Sequence, residues 1–286
     1  MSAYAYSVLA IVGINIMLAV SLNMITGFCG QFSLGHAAFY GSGAYAAASL
    51  AAAGLPLPAA LLAGIIVAGV LGFMVGFASL RLRDDFLAVT TIGVSFLFVG
   101  FVRKQHWLGA EMGISRIPPT GLGMEGNALL ILTCAFATIA GSLYVRRSWM
   151  GFALRAVGDD ENTARTVGIP VSAYKLVAFT LGTAIAGLAG GLYAYFTQFI
   201  VPDSFGFVVS VTLMAMVVVG GIGSTLGVVA AAIILTLLPE AFRFINEYRL
   251  LIFGGLLVLV LRFAPEGLAG LGHSVLRPRR ADDSNA

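Results

Sequence analysis

This chain has little charge for its length. Only 10% of its 286 residues are Asp, Glu, Lys or Arg, whereas a soluble domain has about a quarter. Hydrophobic residues make up 59%. A helix needs about 20 apolar residues to cross the hydrocarbon core of a bilayer, and it satisfies its own backbone groups there. Several apolar runs reach that length without the alternation that a transmembrane β-barrel needs. The sequence therefore excludes an ordinary soluble domain and predicts an all-α, polytopic bundle of transmembrane helices.

The sequence also lacks the motifs of several enzyme classes. It has no phosphate-binding glycine loop ending in Lys-Ser or Lys-Thr, no paired metal-binding histidines and no Gly-x-Ser-x-Gly elbow. Its two cysteines, Cys29 and Cys134, lack metal-ligand spacing. We therefore expect no catalytic residue, no metal site and no ATP hydrolysis by the chain itself. Acidic residues are nearly absent from the apolar runs, with Glu240 as the exception, which argues against an ion-coupled transporter.

Nine apolar segments are predicted to span the membrane, and counts of eight and ten stay open. The second and seventh are short and interrupted by glycine, so each is compatible with a re-entrant or broken helix. The predicted spans are residues 6–26, 37–53, 58–80, 86–102, 128–145, 171–197, 208–221, 226–242 and 250–263.

The Lys and Arg residues predict the orientation, because cytoplasmic loops are enriched in basic residues. With nine spans, an N-terminus outside the cell places eleven of the sixteen basic residues inside. The first apolar run is too long for a signal-peptide core and has no Lys or Arg before it, so we interpret it as a retained helix. The C-terminal tail is then cytoplasmic, and its cluster Arg277, Arg279 and Arg280 suits anionic lipid rather than nucleic acid.

One polar segment interrupts the apolar chain between Arg146 and Lys175. Eight of its thirty residues are charged, so it must lie in water beside the membrane. Asp159 or Asp160 is a suitable N-cap for a short helix whose first turn is acidic, which favours the positive end of the helix dipole. Gly168, with a proline two residues later, is expected to end that helix. We predict a helix, turn, helix arrangement that contacts a partner, with a solvated connector as the alternative.

Two glycine-rich stretches, 27–45 and 220–227, interrupt the apolar runs in similar ways. Both contain glycine, then serine, then Leu-Gly, which indicates a weak internal repeat. Broken helices at such positions expose backbone groups that can line a permeation path. The alternative is that the glycines only allow close helix packing. Packing is the expected role of small residues spaced by four, which are Gly72 and Gly76, and Gly182, Ala186 and Gly190.

Several of these motifs resemble those of a known family. The string SLGHAAFYGSGAY, from Ser33 to Tyr45, is similar to the signature of LivM-type permeases of the branched-chain amino-acid ABC transporter family. The string RAVGDDENTA at 155–164, followed by VGIP at 167–170, resembles the cytoplasmic coupling segment of that family. Further motifs follow in order up to FAPEGL at 263–268, so the resemblance extends from about residue 27 to residue 268.

The resemblance implies a heteromeric importer that is driven by ATP. The permease would pair with a second, LivH-type permease and work with two cytoplasmic ATPase subunits and a periplasmic or extracellular substrate-binding protein. ATP and Mg would be used by the ATPases, with no cofactor bound by the permease. Thr163-Ala164 followed by Arg165 departs from the Ala-Ala pair followed by Glu that relatives commonly have, which bears on the choice of partner more than on the coupling role. The residues implied in coupling to the ATPase are Gly158, Asp159, Asp160, Glu161, Ala164, Gly168 and Ile169.

The resemblance also implies a substrate class and a location. The substrates would be leucine, isoleucine and valine, with urea and short amides as alternative substrates. An ion-coupled transporter and a purely structural subunit are the alternatives to an ATP-driven importer. The chain would form a permease domain, 1–268, with a coupling loop at 146–175 and a cytoplasmic tail, 269–286, in the bacterial inner membrane. We assign the translocation path to the two glycine-rich stretches, at Ser33, His36, Tyr40, Gly41, Gly221, Gly223 and Ser224.

Overall fold

The structure, a computed structural model, describes residues 3–79, 84–115 and 117–241, together with the single residues 255, 268 and 270. Two strands, β1 (Ile114–Ser115) and β2 (Phe199–Ile200), pair antiparallel in this part of the chain, and the rest is largely helical, so the all-α prediction is confirmed. The helices are α1 (Ala3–Cys29), α2 (His36–Ala52), α3 (Leu57–Ser79), α4 (Asp84–Lys104), α5 (Gly123–Arg147), α6 (Trp149–Asp159), α7 (Glu161–Thr166), α8 (Val171–Thr197), α9 (Phe207–Gly220) and α10 (Thr225–Ala241).

Six helical segments are long and apolar enough to cross a membrane. They are α1, α3, α5 and α8, the part of α4 from Phe86, and α9 together with the turn from Pro202. Helix α2 has 17 residues and α10 has a shorter apolar stretch, Thr225–Leu238. The first eight predicted spans each coincide with a helix, whereas the ninth, 250–263, lies outside the described residues apart from residue 255. The multi-pass bundle is confirmed, and the count of nine stays a prediction.

Helix α8 lies at the centre of the bundle and packs against α1, α2 and α3. Small residues make this possible, because Gly187 of α8, Gly43 of α2 and Gly64 of α3 meet backbone to backbone. A side chain on any of the three would overlap another helix. The predicted stripe of small residues along α8 is buried in these interfaces, as expected where small side chains let membrane helices approach closely.

An irregular segment precedes the seventh predicted span. After β2, Pro202–Phe205 form a turn of 3-10 helix, and the side chain of Phe205 is fully buried. The centroid of its ring lies 4.9 Å from that of Tyr40, 5.8 Å from that of Tyr45 and 6.0 Å from that of Tyr193. Helix α9 starts only after this buried turn. The predicted span 208–221 coincides with this continuous helix, so the irregular turn lies before the span and does not break it.

Some residues on which the orientation depends lie outside the described part of the chain. They are Arg81, Arg83, Arg116, Arg243, Arg249, Arg262, Arg277, Arg279 and Arg280. The tail 269–286 also lies outside it, apart from residue 270. The predicted orientation and the predicted boundary between permease domain and tail therefore stay predictions.

Candidate functional site

The polar segment between α5 and α8 folds as two short helices. The first, α6, is amphipathic: Leu154 and Val157 are buried, whereas Trp149 and Phe152 are exposed. Ser148 caps its N-terminus, where the hydroxyl accepts a hydrogen bond from the backbone N–H three residues later at 3.4 Å. The apolar face of α6 therefore lies on the bundle, and its aromatic face points away from it.

Asp160 separates the two helices and caps the second. Its carboxylate accepts hydrogen bonds from the backbone N–H of Asn162 at 2.8 Å and of Thr163 at 3.3 Å, and from the Thr163 hydroxyl at 2.8 Å. These donors, the Thr163 hydroxyl above all, hold the pKa of the Asp160 carboxyl below its ordinary value of 3.8. Of the two predicted caps, Asp160 is correct. Asp159 is not, because it is the last residue of α6.

Helix α7 is shorter than the predicted helix. It ends at Thr166, two residues before Gly168, whose φ of +83° reverses the chain in a conformation that glycine adopts without strain. The backbone N–H of Ile169 then donates back to the carbonyl of Ala164 at 3.0 Å. Gly168 therefore acts as the predicted stop signal, while Ile169 lies beyond the helix.

A separate hydrophobic cluster lies beneath α6 and α7. It joins the end of α1 to α6, α7 and the beginning of α8. Ala164 is its member from α7, and Ile169 packs against its edge. Because four elements share this cluster, α6 and α7 cannot move far without disturbing α1 and α8. Its buried members are Met24, Phe28, Cys29, Leu154, Val157, Ala164, Val171 and Ala178.

An ion pair fastens α7 to α8. The carboxylate of Glu161, at the start of α7, pairs with the ammonium of Lys175, which lies in the first turns of α8 with only 8% of its surface exposed. The other oxygen of Glu161 accepts a hydrogen bond from Arg165 at 3.1 Å, one helical turn further along α7. The pair with Lys175 is shielded from water and is therefore worth more than an exposed surface pair.

Gly158 connects α6 to the loop between α1 and α2. A Cβ atom on Gly158 would lie 3.2 Å from the carbonyl oxygen of Phe28 and 3.3 Å from the backbone nitrogen of Gly30. Gly30 itself has a φ of +72°. The two backbones are therefore in direct contact, and the polar segment touches the beginning of the first glycine-rich stretch.

The seven predicted coupling residues divide into an outward and an inward group. Gly158, Asp159, Asp160 and Gly168 are exposed. The others, Glu161, Ala164 and Ile169, face the bundle and attach the segment to it. Directly after α7, Val167 continues this outward face and is 70% exposed. It belongs to the VGIP string but was not among the predicted coupling residues. Its signal in the sequence was an apolar residue next to a helix-ending glycine.

The two glycine-rich stretches meet each other in the structure. The backbone N–H of Gly223 donates to the side-chain oxygen of Asn23 in α1 at 2.9 Å. Gly27 packs directly against the backbone of Gly223, and a Cβ atom there would overlap it. Gly221 and Gly223 have φ values of +100° and +82°, which favour glycine. Together with the half-buried Ser224, they form the turn between α9 and α10.

The predicted path residues of the first stretch are buried inside the chain. The hydroxyl of Ser33 accepts a hydrogen bond from the backbone N–H of Gly35 at 3.4 Å. His36 is fully buried, with its Nε2 2.8 Å from the hydroxyl of Ser21. Tyr40 belongs to the aromatic group around Phe205. These residues therefore lie near one another, and each is surrounded by other groups of the protein.

Close packing also surrounds Gly41, the fourth predicted path residue of this stretch. A Cβ atom on Gly41 would overlap the ring of Phe98 and touch Phe205. The chain just before Gly41 is held by hydrogen bonds from two helices. Thr91 of α4 accepts one from the backbone N–H of Leu34 at 3.0 Å. Ser210 of α9 accepts one from the backbone N–H of Ala37, also at 3.0 Å. The packing role that we considered as the alternative is therefore present at Gly41.

One residue and one pairing in these contacts were missed by sequence reasoning. Asn23 is a buried amide in the apolar run of α1, and a polar side chain at such a position is costly without a partner. That signal could have identified it. The pairing of Lys175 with Glu161 had no comparable signal, because it depends on how α7 folds back onto α8. Among the described residues, no group of three or more His, Cys, Asp and Glu side chains is placed to hold a metal ion.

Comparison with known proteins agrees with this architecture. Residues 4–261 match the family described as the permease component of branched-chain amino acid transport systems. The chain is 35% identical to the high-affinity branched-chain amino acid transport permease LivM of Salmonella typhimurium and to LivM of Escherichia coli K12, over 89% of this chain and 67% of each relative. It is 26% identical to LivH of Salmonella typhimurium, over 89% of this chain and 90% of that protein. No solved structure matches the chain. The chain therefore belongs to the family of permease components of branched-chain amino acid transport systems.

Proposed function

We propose that this chain is the LivM-type permease of an ATP-driven ABC importer for leucine, isoleucine and valine. It works beside a LivH-type permease in the bacterial inner membrane, with two cytoplasmic ATPase subunits and a substrate-binding protein outside. ATP and Mg are used by the ATPases, and the chain itself performs no catalysis. The observation that carries this proposal is the capped helix α7, which is exposed on one side and fastened to α8 by Glu161 and Lys175 on the other.

In this mechanism α7 is the coupling helix. Its outward face, with Asp160, Asn162, Thr163 and Val167, docks into a groove of an ATPase subunit. Exposed backbone and polar groups suit the polar rim of such an interface, and the exposed side chain of Val167 suits its core. Closure of the ATPase dimer then pushes on α7.

The push reaches the membrane part by two routes. Through Glu161 and Lys175 it reaches α8, which packs against α1, α2 and α3 at the centre of the bundle. Through Gly158 and Gly30 it reaches the loop that begins the first glycine-rich stretch. Both routes are contacts between packed elements, which transmit displacement because protein interiors are close-packed.

The path residues change their surroundings during the cycle. Ser33, His36 and Tyr40 are buried in the described state, so they face the solute only when the loop between α1 and α2 moves. Buried polar atoms that have no partner among the described residues, such as Nδ1 of His36, favour such a second arrangement because burial without a hydrogen bond is costly. In this proposal, alternating access exposes them in turn to either side.

Purification of the tagged chain from native membranes tests the assembly. We expect ATPase subunits and a second permease to be recovered with it, and the ATPase activity of the complex to rise with leucine, isoleucine or valine and the binding protein. If urea or short amides raised the ATPase activity instead, they would be the substrates, and the assignment as an importer would remain. Recovery of the chain alone, active in ion-driven uptake, would contradict the proposal.

Two substitutions test the coupling role of α7. Glu161→Arg places a positive charge beside Lys175 and Arg165, and Gly168→Pro demands a φ of about −65° where the chain has +83°. Both variants should insert in the membrane and lose uptake. Glu111→Arg, the same charge change at an exposed position after α4, should transport normally. Full uptake by both α7 variants would rule out the coupling assignment.

A further inference from the structure

A large cleft lies between α2, α3 and α4, built from residues that play no part in the polar segment. Its volume is about 730 Å³. Helix α3 makes few contacts with α4, and the cleft fills the space between them down to α2. Almost all of its lining is apolar. The walls and floor include Ser42, Tyr45, Val67, Leu71, Leu97 and Phe101.

The cleft opens towards hydrocarbon rather than water. At its mouth, Val67 and Leu71 of α3 are each 38% exposed, and Leu97 and Phe101 of α4 are 72% and 51% exposed. Both helices contain segments long and apolar enough to cross a membrane. Exposed apolar side chains on such segments face lipid tails, because their exposure to water would cost free energy.

The floor of the cleft offers little to a polar ligand. The hydroxyl of Ser42 donates to the carbonyl of Phe39 at 2.9 Å, and that of Ser49 donates to the carbonyl of Tyr45 at 2.8 Å. The hydroxyl of Tyr45 has no hydrogen-bond partner among the described residues, although it is buried. A zwitterionic amino acid would leave its charges unpaired here, which is costly. A hydrocarbon chain, which has no charge to pair, fits better.

One end of the cleft carries the residues expected at a membrane surface. Trp107 lines it and is 70% exposed, with its indole N–H donating to the side-chain oxygen of Gln105 at 3.1 Å. Tryptophan is enriched at the level of lipid headgroups. Lys104 is exposed in the last turn of α4. Its spacing from Leu97 and Phe101 places it on the helix face that lines the cleft.

We propose that the cleft binds one acyl chain of an anionic phospholipid. The tail lies between α3 and α4 and reaches the floor formed by α2, and the phosphate lies near the ammonium of Lys104. The complementary charge of Lys104 selects an anionic headgroup. The lipid thereby supports α2, which carries the residues His36, Tyr40 and Gly41. This inference stands independently of the proposed substrate and of the ATPases.

Photo-crosslinking in the assembled transporter tests this site. Cells or nanodiscs receive phosphatidylglycerol whose acyl chain carries a diazirine, and labelled peptides are mapped after irradiation. Labelling of the α2 floor at Ser42 or Ser49 is expected, although Ser42 is only 5% exposed and bulk lipid does not reach it. Ala63→Phe and Ala46→Phe fill the cleft and should reduce this labelling about tenfold, or about 1.4 kcal/mol of binding free energy.

Matched controls separate this site from general contact with lipid. Leu129→Phe changes an exposed residue of α5 and should leave labelling of the floor unchanged. Lys104→Gln should abolish the preference for phosphatidylglycerol over phosphatidylcholine while the floor is still labelled. An unlabelled floor, with label confined to the outer faces of α3 and α4, would overturn the proposal. Crosslinking of Leu97→Cys to a second permease would also overturn it, since a protein helix would then fill the cleft.

Discussion

At Asp160 a single side chain determines where the polar segment divides. Its backbone is extended, with φ −158° and ψ 112°, so α6 cannot continue through it, and its carboxylate caps α7. Both properties are local, because Asp binds nearby backbone N–H groups readily. The sequence therefore indicated this cap, and only the choice between neighbouring aspartates required the structure.

Replacing Asp160 tests the cap. Asp160→Ala removes the acceptor of three hydrogen bonds, so α7 should fray and uptake should fall, as measured with radiolabelled substrate. Asp160→Asn keeps an acceptor for the backbone N–H groups and should retain most of the uptake. If the alanine variant transported as well as the wild type, α7 would not need its cap for coupling.

The charge of Asp160 also gives a pH dependence. Because its folded pKa lies below the ordinary value of 3.8, its contribution to stability is complete above that pH and is lost as the pH falls through the lowered pKa. The difference in thermal midpoint between wild type and Asp160→Asn in detergent should therefore be constant from neutral pH down to about 3.8 and shrink below it. If the difference in thermal midpoint grew on acidification, the pKa of Asp160 would not be lowered by folding.

At the scale of elements, the fold depends on backbones that touch. Helices α2, α3 and α8 meet at three glycines, and α6 meets the loop between α1 and α2 at two more. The sequence identified the small-residue stripe of α8 by its spacing of four, which membrane helices use for close packing. It did not identify Gly158 as a contact, because its partner Gly30 lies more than a hundred residues away in the sequence.

Gly158→Leu tests whether this contact transmits motion. The new side chain would press on the backbone of Phe28 and Gly30, so the segment must shift, with an expected cost of about 1–3 kcal/mol of folding free energy. Uptake should fall by more than the decrease in the amount of folded protein explains. Gly141→Leu on α5 is the control, because nothing lies within 4 Å of a Cβ atom there. Equal behaviour of the two variants would exclude a role for the contact.

Ala186→Leu tests the packing of α8. Ala186 is fully buried in the bundle, and a larger side chain should separate the helices and destabilise the fold by about 1–3 kcal/mol. We expect a lower thermal midpoint in detergent and a lower yield of folded protein. Ala137→Leu on the exposed face of α5 should change neither. An unchanged midpoint for Ala186→Leu would mean that this face can adapt to the extra volume.

At the scale of the whole molecule, orientation is the property that rests most on charge. The predicted topology places Lys104 outside the cell and Arg147 inside, and both are exposed. Cysteines introduced at these positions in a Cys134→Ser background, where the remaining Cys29 is buried, should react with an impermeant maleimide. We expect Lys104→Cys to be labelled on intact cells and Arg147→Cys only after the inner membrane is opened. The reverse pattern would invert the topology.

The sequence by itself determined the features that depend on neighbouring residues. Apolar runs about 20 residues long fix the membrane helices, because a bilayer offers the backbone no water. Asp160 and Gly168 fix the start of α7 and the turn that follows it, because caps and turns use residues close in the chain. Together with the motif strings, these features were enough to predict the fold class and the family.

Only the tertiary structure decided which distant parts meet. Asn23 holds Gly223 from 200 positions away, Lys175 is paired with Glu161 rather than exposed, and the path residues are enclosed by α4, α8 and α9. The cleft between α3 and α4 lies where these helices make few contacts with each other while both pack against α2. The physical reason is that membrane helices gain little hydrophobic free energy from one another in lipid. Their arrangement depends instead on shape, small residues and a few polar contacts, which one-dimensional patterns do not record.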